Sequence, residues 1–369
     1  MNTQQPAMQV PPPELRYAAE LAALSAADTG PRPPGWRLSP RAVVRFVMGD
    51  PTISTKFVGD RALVERSVIT LAGQRGLLLV GEPGTAKSML SELLAAAISG
   101  TSGNTVQGTA GTTEEHLRYG WNYAMLLASG PRREALVPSP VMTAMESGGI
   151  ARIEEVTRCL PEVQDALVSL LSDRRLAVPE LGEAGVVHAR PGFNVIATAN
   201  LRDRGVSEMS AALKRRFNFE TIPPIADHKD EVALVRRQVE AAVAPLAAGA
   251  NVDHAVLDAL LTAFRDLRLG RSAEGWAVER PGAVLSTAEA VGVASSIALD
   301  AAWFPERHDA LALIPGYLLG VVLKDDPKDR GRLLAYWDGA VRRRADAATA
   351  HPQAEIWRRL LALRRVLEE

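Results

Sequence analysis

Between about residues 57 and 225, short apolar runs alternate with stretches of helical periodicity. The runs cover residues 77–80, 105–107, 149–153, 193–198 and 218–222, and helical stretches such as 87–98 and 162–171 separate them. Strands alternating with helices predict βαβ units and a parallel sheet. Ahead of this region, residues 1–35 are rich in Pro, Ala and Gly. Residues 15–24 predict a short helix there, and Gly30-Pro31-Arg32-Pro33-Pro34-Gly35 reads as a linker. Ser39 before Pro40 predicts an N-cap and a first-turn proline, opening a helix through Met48. After Pro223-Pro224 the strand pattern stops. Helical patterns then occupy residues 229–243, 255–268, 287–302, 309–323, 328–348 and 354–367, and Ser286-Thr287-Ala288-Glu289 is a capping-box signature. The expected organisation is a flexible N-terminal segment over 1–38, an α/β domain over 39–225 and an all-α region over 226–369.

Composition narrows the class. A chain of 369 residues predicts two or three domains of about 100–200 residues each. An apolar content of 47% supports a sizeable core, and 5% aromatics with abundant Ala and Leu favours helices. The net charge of −1 implies no bulk attraction to nucleic acid or to an anionic membrane. Cys159 is the only cysteine, so an internal disulfide is excluded and a reduced cytoplasmic setting is expected. It reads as a small buried hydrophobe rather than a nucleophile. Residues 1–13 carry neither the basic nor the apolar region of a signal peptide, and no apolar run is long enough for a membrane span. His116, His188, His228, His254, His308 and His351 are scattered without metal-ligand spacing, so no zinc site is expected. Arg342-Arg343-Arg344, Arg358-Arg359 and Arg364-Arg365 stand among acidic neighbours, which reads as a solvated helix surface.

The strongest chemical signal follows the first apolar run. Gly81-Glu82-Pro83-Gly84-Thr85-Ala86-Lys87-Ser88 stands between a predicted strand and a predicted helix, the context of a Walker A phosphate loop. Its amides, with the helix N-terminus through Met89, would cradle phosphate oxygens. Lys87 would neutralise β- and γ-phosphate charge, and the Ser88 hydroxyl would ligate Mg²⁺. Ala86 replaces the usual second glycine, an exchange that helical backbone angles would tolerate. A second acidic element is then required. Ile150-Ala151-Arg152-Ile153-Glu154-Glu155 supplies it, with Glu154 on the metal side and Glu155 as general base, although Arg152 interrupts a strand expected to be apolar on both faces. Asn200 ends the run 193–198 and its two following residues, at a strand end where it could position the water.

These motifs, in this order, resemble the AAA+ series of Walker A, Walker B, sensor 1 and arginine finger, the last at Leu213-Lys214-Arg215-Arg216-Phe217. Gly-x-Pro-Gly-x-Ala-Lys and Ile153-Glu154-Glu155-Val156-Thr157-Arg158 resemble the MoxR branch, and Lys56-Phe57-Val58-Gly59 resembles the segment beside the adenine. The resemblance covers about residues 39–350. It implies an α/β P-loop NTPase core, a parallel sheet flanked by helices, followed by a smaller all-α lid. It also implies a Mg²⁺-dependent ATPase working as a homo-oligomeric ring, a hexamer, on client proteins, often beside a von Willebrand factor A-domain partner. Arg216 is the implied finger, reaching the neighbouring subunit's site, and Arg215 is a rival for the role. Residues 174–189 resemble the hairpin inserted before sensor 1, and residues 121–145 resemble a helix interrupted by an insert. The second-sensor arginine has no counterpart at Val284-Leu285-Ser286-Thr287, and Arg280 is the nearest substitute. Two other readings stay open: a nucleic-acid motor, disfavoured by neutral charge and absent aromatic–basic interleaving, and a nucleotide-controlled scaffold with weak hydrolysis.

Overall fold

The computed structural model describes residues 8–200, 207–247, 249–307, 309–324, 326–347 and 354–368. The first seven residues of the N-terminal segment, His308, His351 and the last residue of the helix expected over 328–348 lie outside the described residues. By Cα proximity the chain divides into two units, residues 1–82 with 86–223, and residues 83–85 with 224–369.

The first unit is built on β1 (Gly76–Val80), β2 (Thr105–Gln107), β3 (Tyr119–Trp121), β4 (Leu136–Pro138), β5 (Ile150–Glu154), β6 (Arg175–Ala177), β7 (Val186–His188), β8 (Asn194–Ala199) and β9 (Phe217–Thr221). Among the described residues, β2-β5-β8-β1-β9 form a five-stranded sheet in that order, every pairing parallel. The parallel sheet expected from the alternation is therefore present, with β5, β8 and β9 each shifted by one residue from the apolar runs. Along β1, Leu77 and Leu79 join one apolar layer with Leu90, Leu94 and Ile196, while Leu78 joins the other with Ile153, Val195 and Ala197. That alternation of successive side chains gives the sheet a buried layer on each face. β3–β4 and β6–β7 are separate antiparallel hairpins at the two positions expected to carry inserts.

Over its described part the N-terminal segment forms helices Pro13–Arg16 and Ala18–Ala27, the second overlapping the helix expected over 15–24, and contributes Leu24, Trp36 and Leu38 to the core. Its polar ties explain why composition misled. Glu14 accepts both the backbone N–H and the hydroxyl of Ser102, at 3.0 and 2.9 Å. Glu20 pairs with the buried Lys56, whose ammonium also lies 4.7 Å from the Tyr17 ring and 4.4 Å from the Phe46 ring. A buried cation held by a carboxylate and two aromatic faces fixes the segment in place. The helix opened by Ser39 and Pro40 runs Pro40–Met48, with the Ser39 hydroxyl accepting from the Ala42 N–H.

Among its described residues the second unit has helices as its elements, beside an isolated bridge between Arg271 and Ala277, with one apolar core around Leu260, Phe264, Leu318 and Trp337. The Ser286–Glu289 capping box forms at the start of helix Thr287–Trp303. The stretch expected as one helix over 328–348 is continuous over residues 329–346, with a π turn at Trp337–Val341 inside it. The expected solvated arginine surface is also corrected in part. Arg344 is buried, pairing with Asp266 at 2.6 Å and Glu274 at 2.7 Å and lying 4.7 Å from the Trp357 ring. Its partners come from other segments, so local charge pattern could not reveal them. Cys159 is free and buried. Among the described residues no helix is long and apolar enough to cross a membrane.

Candidate nucleotide-binding site

Three strands deliver the candidate residues to one edge of the sheet. β1 runs into the turn 81–86, which feeds helix Lys87–Ser99. Lys87 is buried, and its ammonium donates to the carbonyls of Gly81 at 3.0 Å and Glu82 at 2.8 Å. Burial lowers its pKa, against the charges of Glu155, Glu154 and Glu82. Ala86 does not adopt the helical angles expected for it. It sits at φ 66, ψ 25, the left-handed region where a Cβ costs about 1–2 kcal/mol. The loop therefore keeps the backbone shape that a glycine would take without strain.

Glu154 ends β5 with its carboxylate buried among four donors. Ser88 Oγ lies 2.6 Å and Thr198 Oγ1 2.8 Å from Oε2, while Ser91 Oγ and Arg152 Nη2 each lie 2.7 Å from Oε1. Burial acts to raise its pKa, but these hydrogen bonds and the Arg152 charge outweigh it and hold the carboxyl below its ordinary value. Arg152 thus breaks no rule for a buried strand, because its charge is paired and hydrogen-bonded. Glu155 follows in a left-handed conformation, φ 55, ψ 45, with its N–H on Thr198 Oγ1 at 2.9 Å and its carboxylate 3.1 Å from Arg158 Nε. The chain beside it must be glycine: a Cβ on Gly108 would lie 2.4 Å from the Glu155 carbonyl oxygen. Asn200 is buried directly after β8.

Lys87, Ser88, Glu154 and Glu155 are thus brought together, with Thr198 bridging the two acids. Thr198, Ser91 and Gly108 escaped the sequence reading, which takes Arg152 only as an interruption of the strand. Two of them carried a faint signal: Ser91 stands one helical turn after Lys87, and Thr198 two residues before Asn200 on the same strand face. Val58 is half-buried and Gly59 exposed, after a segment tied by the Lys56 and Phe57 N–H groups to the Val47 carbonyl. Met89 packs against the core layer that contains Phe57 and Leu90.

Arg216 is not part of this cluster. Its carbonyl accepts the Gly76 N–H at the opposite end of β1, and its guanidinium donates to Ser172 Oγ and the Ala212 carbonyl. A strand of this length separates the two ends by about 13 Å or more, at roughly 3.3 Å per residue. Arg215 is exposed on the same short helix end. In the second unit, Arg280 donates to the Leu269 carbonyl at the end of helix His254–Leu269.

Comparisons with known proteins place the chain among AAA+ relatives. The family described as AAA domain (dynein-related subfamily) matches residues 76–217, and the YehL-like AAA+ ATPase C-terminal domain matches residues 229–368. The uncharacterized protein YehL of Escherichia coli (strain K12) is 49% identical over 361 residues, spanning 96% of this chain and 98% of that one. The uncharacterized protein SH1500 of Staphylococcus haemolyticus is 35% identical over 144 residues, 39% of this chain and 53% of that protein. Among solved structures, NtrX from Brucella abortus in complex with ATP aligns over 83% of this chain and 60% of that chain, with 14% identity and a TM-score of 0.48.

Proposed function

This chain belongs to the YehL-like AAA+ ATPases, and from that premise we propose that it hydrolyses ATP in a homo-oligomeric ring and uses the cycle to remodel or activate client proteins, as a MoxR-like motor of the cytoplasm. The observation that carries this reading is the meeting of Lys87, Ser88, Glu154 and Glu155 at the carboxyl ends of β1 and β5. Open α/β sheets take ligands at that edge. In this reading residues 39–225 are the ATP-binding domain, residues 226–369 are the lid and C-terminal helical region, and the amides of Gly81 through Met89 hold the triphosphate.

Lys87 exchanges the carbonyls of Gly81 and Glu82 for β- and γ-phosphate oxygens. Ser88 and Glu154 offer a hydroxyl and a carboxylate oxygen, donors suited to Mg²⁺, and that ion supplies neutralisation of phosphate charge when bound. Glu155 takes a proton from the attacking water, and Asn200 orients that water. Val58 and Gly59 border the adenine. Arg216, placed far from its own chain's phosphate loop, stabilises the transferred phosphoryl in the neighbouring subunit's site. The ring is a hexamer in this reading, and the client is a protein, with a von Willebrand factor A-domain partner as the first to test.

The direct test is Glu155→Gln, assayed for phosphate release and for nucleotide binding. Turnover falls about 10²–10⁴-fold while binding persists if Glu155 is the base; undiminished turnover removes it from the mechanism. A second reading, a nucleotide-controlled scaffold with weak hydrolysis, draws on one observation, the carboxylate of Glu154 already engaged by four donors. Equal phosphate release by the wild type and Lys87→Ala would favour it.

A further inference from the structure

We propose that Arg152 is a positioning residue for the cation side of the nucleotide site, and that its charge makes divalent-cation binding depend on the nucleotide. The proposal rests on the reading of residues 81–88 as a triphosphate cradle and deepens it.

Arg152 and Glu154 stand two apart on β5, so their side chains leave the same face of the strand. The guanidinium is 4% exposed as a residue and is held on every side. Nε donates to Ser91 Oγ at 3.0 Å, Nη1 to the Ser102 carbonyl and to Thr105 Oγ1 at 3.0 Å each, and Nη2 to Glu154 Oε1 at 2.7 Å. Ser102 is itself fixed from outside the sheet, because Glu14 accepts its N–H and its hydroxyl. A continuous line of polar contacts therefore joins the N-terminal helix to the phosphate loop, from Glu14 through Ser102, Arg152 and Glu154 to Ser88.

This line divides the carboxylate's work. Oε1 is occupied by Arg152 and Ser91, and Oε2 faces Ser88 and Thr198. The Glu154 side chain is long enough to reach both sides at once. The other charge near Arg152, Glu92, is 3.4 Å away and half-buried, so solvent screens it in part. The buried carboxylate that would attract a divalent ion thus already has a fixed cation beside it. Without nucleotide the site attracts the ion weakly, and the triphosphate brings the missing negative charge. Arg152 acts through Glu154 and touches no substrate.

The test uses Mn²⁺ with the full-length protein in equilibrium dialysis, where free Mn²⁺, ATP and their complex cross the membrane and only protein-held Mn²⁺ is retained. Wild type is expected to retain Mn²⁺ only when ATP is present, and Lys87→Ala to lose that ATP-dependent retention. If either fails, the nucleotide reading itself falls. Arg152→Met and Arg152→Gln are expected to take up Mn²⁺ without nucleotide, with affinity tightened by about tenfold or more, as removal of an adjacent unit charge predicts. Arg152→Lys, which keeps the charge, is expected to behave as the wild type. A purely fold-stabilising ion pair predicts the reverse for the neutral variants, no gain in nucleotide-free binding. That result, or failure of both neutral variants to fold while Arg152→Lys folds, overturns the proposal and leaves the nucleotide site standing.

Discussion

Ser88 Oγ lies 2.6 Å from Glu154 Oε2, across 66 positions of sequence, and that contact joins the phosphate loop to the acidic strand. The same carboxylate is paired with the buried Arg152. Glu154→Ala leaves that arginine without its counter-ion, and loss of one partner of a buried pair costs about 3–5 kcal/mol. Urea denaturation is the measurement. A loss below about 0.5 kcal/mol, the level of an ordinary surface substitution, would show that the pair contributes nothing to the fold.

Ala86 carries a positive φ where the backbone turns into the phosphate-loop helix. Ala86→Gly removes a conformational cost of about 1–2 kcal/mol, offset by about 0.5–1 kcal/mol of extra chain entropy in the unfolded state. The net expectation is a gain of about 0.5–1 kcal/mol in chemical denaturation. A loss of stability would mean that residue 86 is not left-handed in solution.

Arg216 sits at the end of β1 away from the phosphate loop. Arg216→Ala is expected to lower turnover about 10³–10⁵-fold, with nucleotide binding retained. Mixing it with Glu155→Gln should restore part of the activity, since each supplies what the other's site lacks. Arg215→Ala should act far more weakly. Mixed assemblies as inactive as their components would remove Arg216 from a trans role.

The N-terminal helices cover Lys56, Phe46 and the layer around Leu24. Deleting residues 1–27 uncovers a buried cation and an apolar face together, so the melting temperature should drop by several degrees and a hydrophobic dye should bind. A truncated protein with an unchanged melting curve would show the segment to be dispensable for folding.

In the helical unit, the acid limb of stability should carry a signature of Glu274. Burial would raise its pKa, but its bonds to Arg344 and Ser272 bring it to about 2 from an ordinary 4.5. A depressed carboxyl contributes stability above its unfolded value and loses it as pH falls through the folded value. Asp266 has the opposite sign, since burial pushes its carboxyl up despite Arg344. Glu274→Gln should therefore flatten the loss of stability between pH 4.5 and about 2, and Asp266→Asn should not. Urea midpoints across that range decide the matter; identical slopes for wild type and Glu274→Gln would contradict it.

Local chemistry made much of this protein legible in its sequence. The five sheet strands, the capping box at Ser286 and the phosphate-loop turn each depend on residues close together in the chain: short apolar runs, a hydroxyl three residues before a glutamate, small residues between strand and helix. What tertiary structure alone decided were contacts between distant segments. Arg152 read as a flaw until Ser91, Ser102 and Thr105 surrounded it, and residues 8–38 read as a flexible segment around one short helix until Ser102 and Lys56 bound Glu14 and Glu20. Arg344 looked solvated until Asp266 and Glu274 enclosed it. The physical reason is common to all three. The cost of burying a charge depends on which partners the fold brings within hydrogen-bonding distance, and no window of neighbouring residues contains those partners.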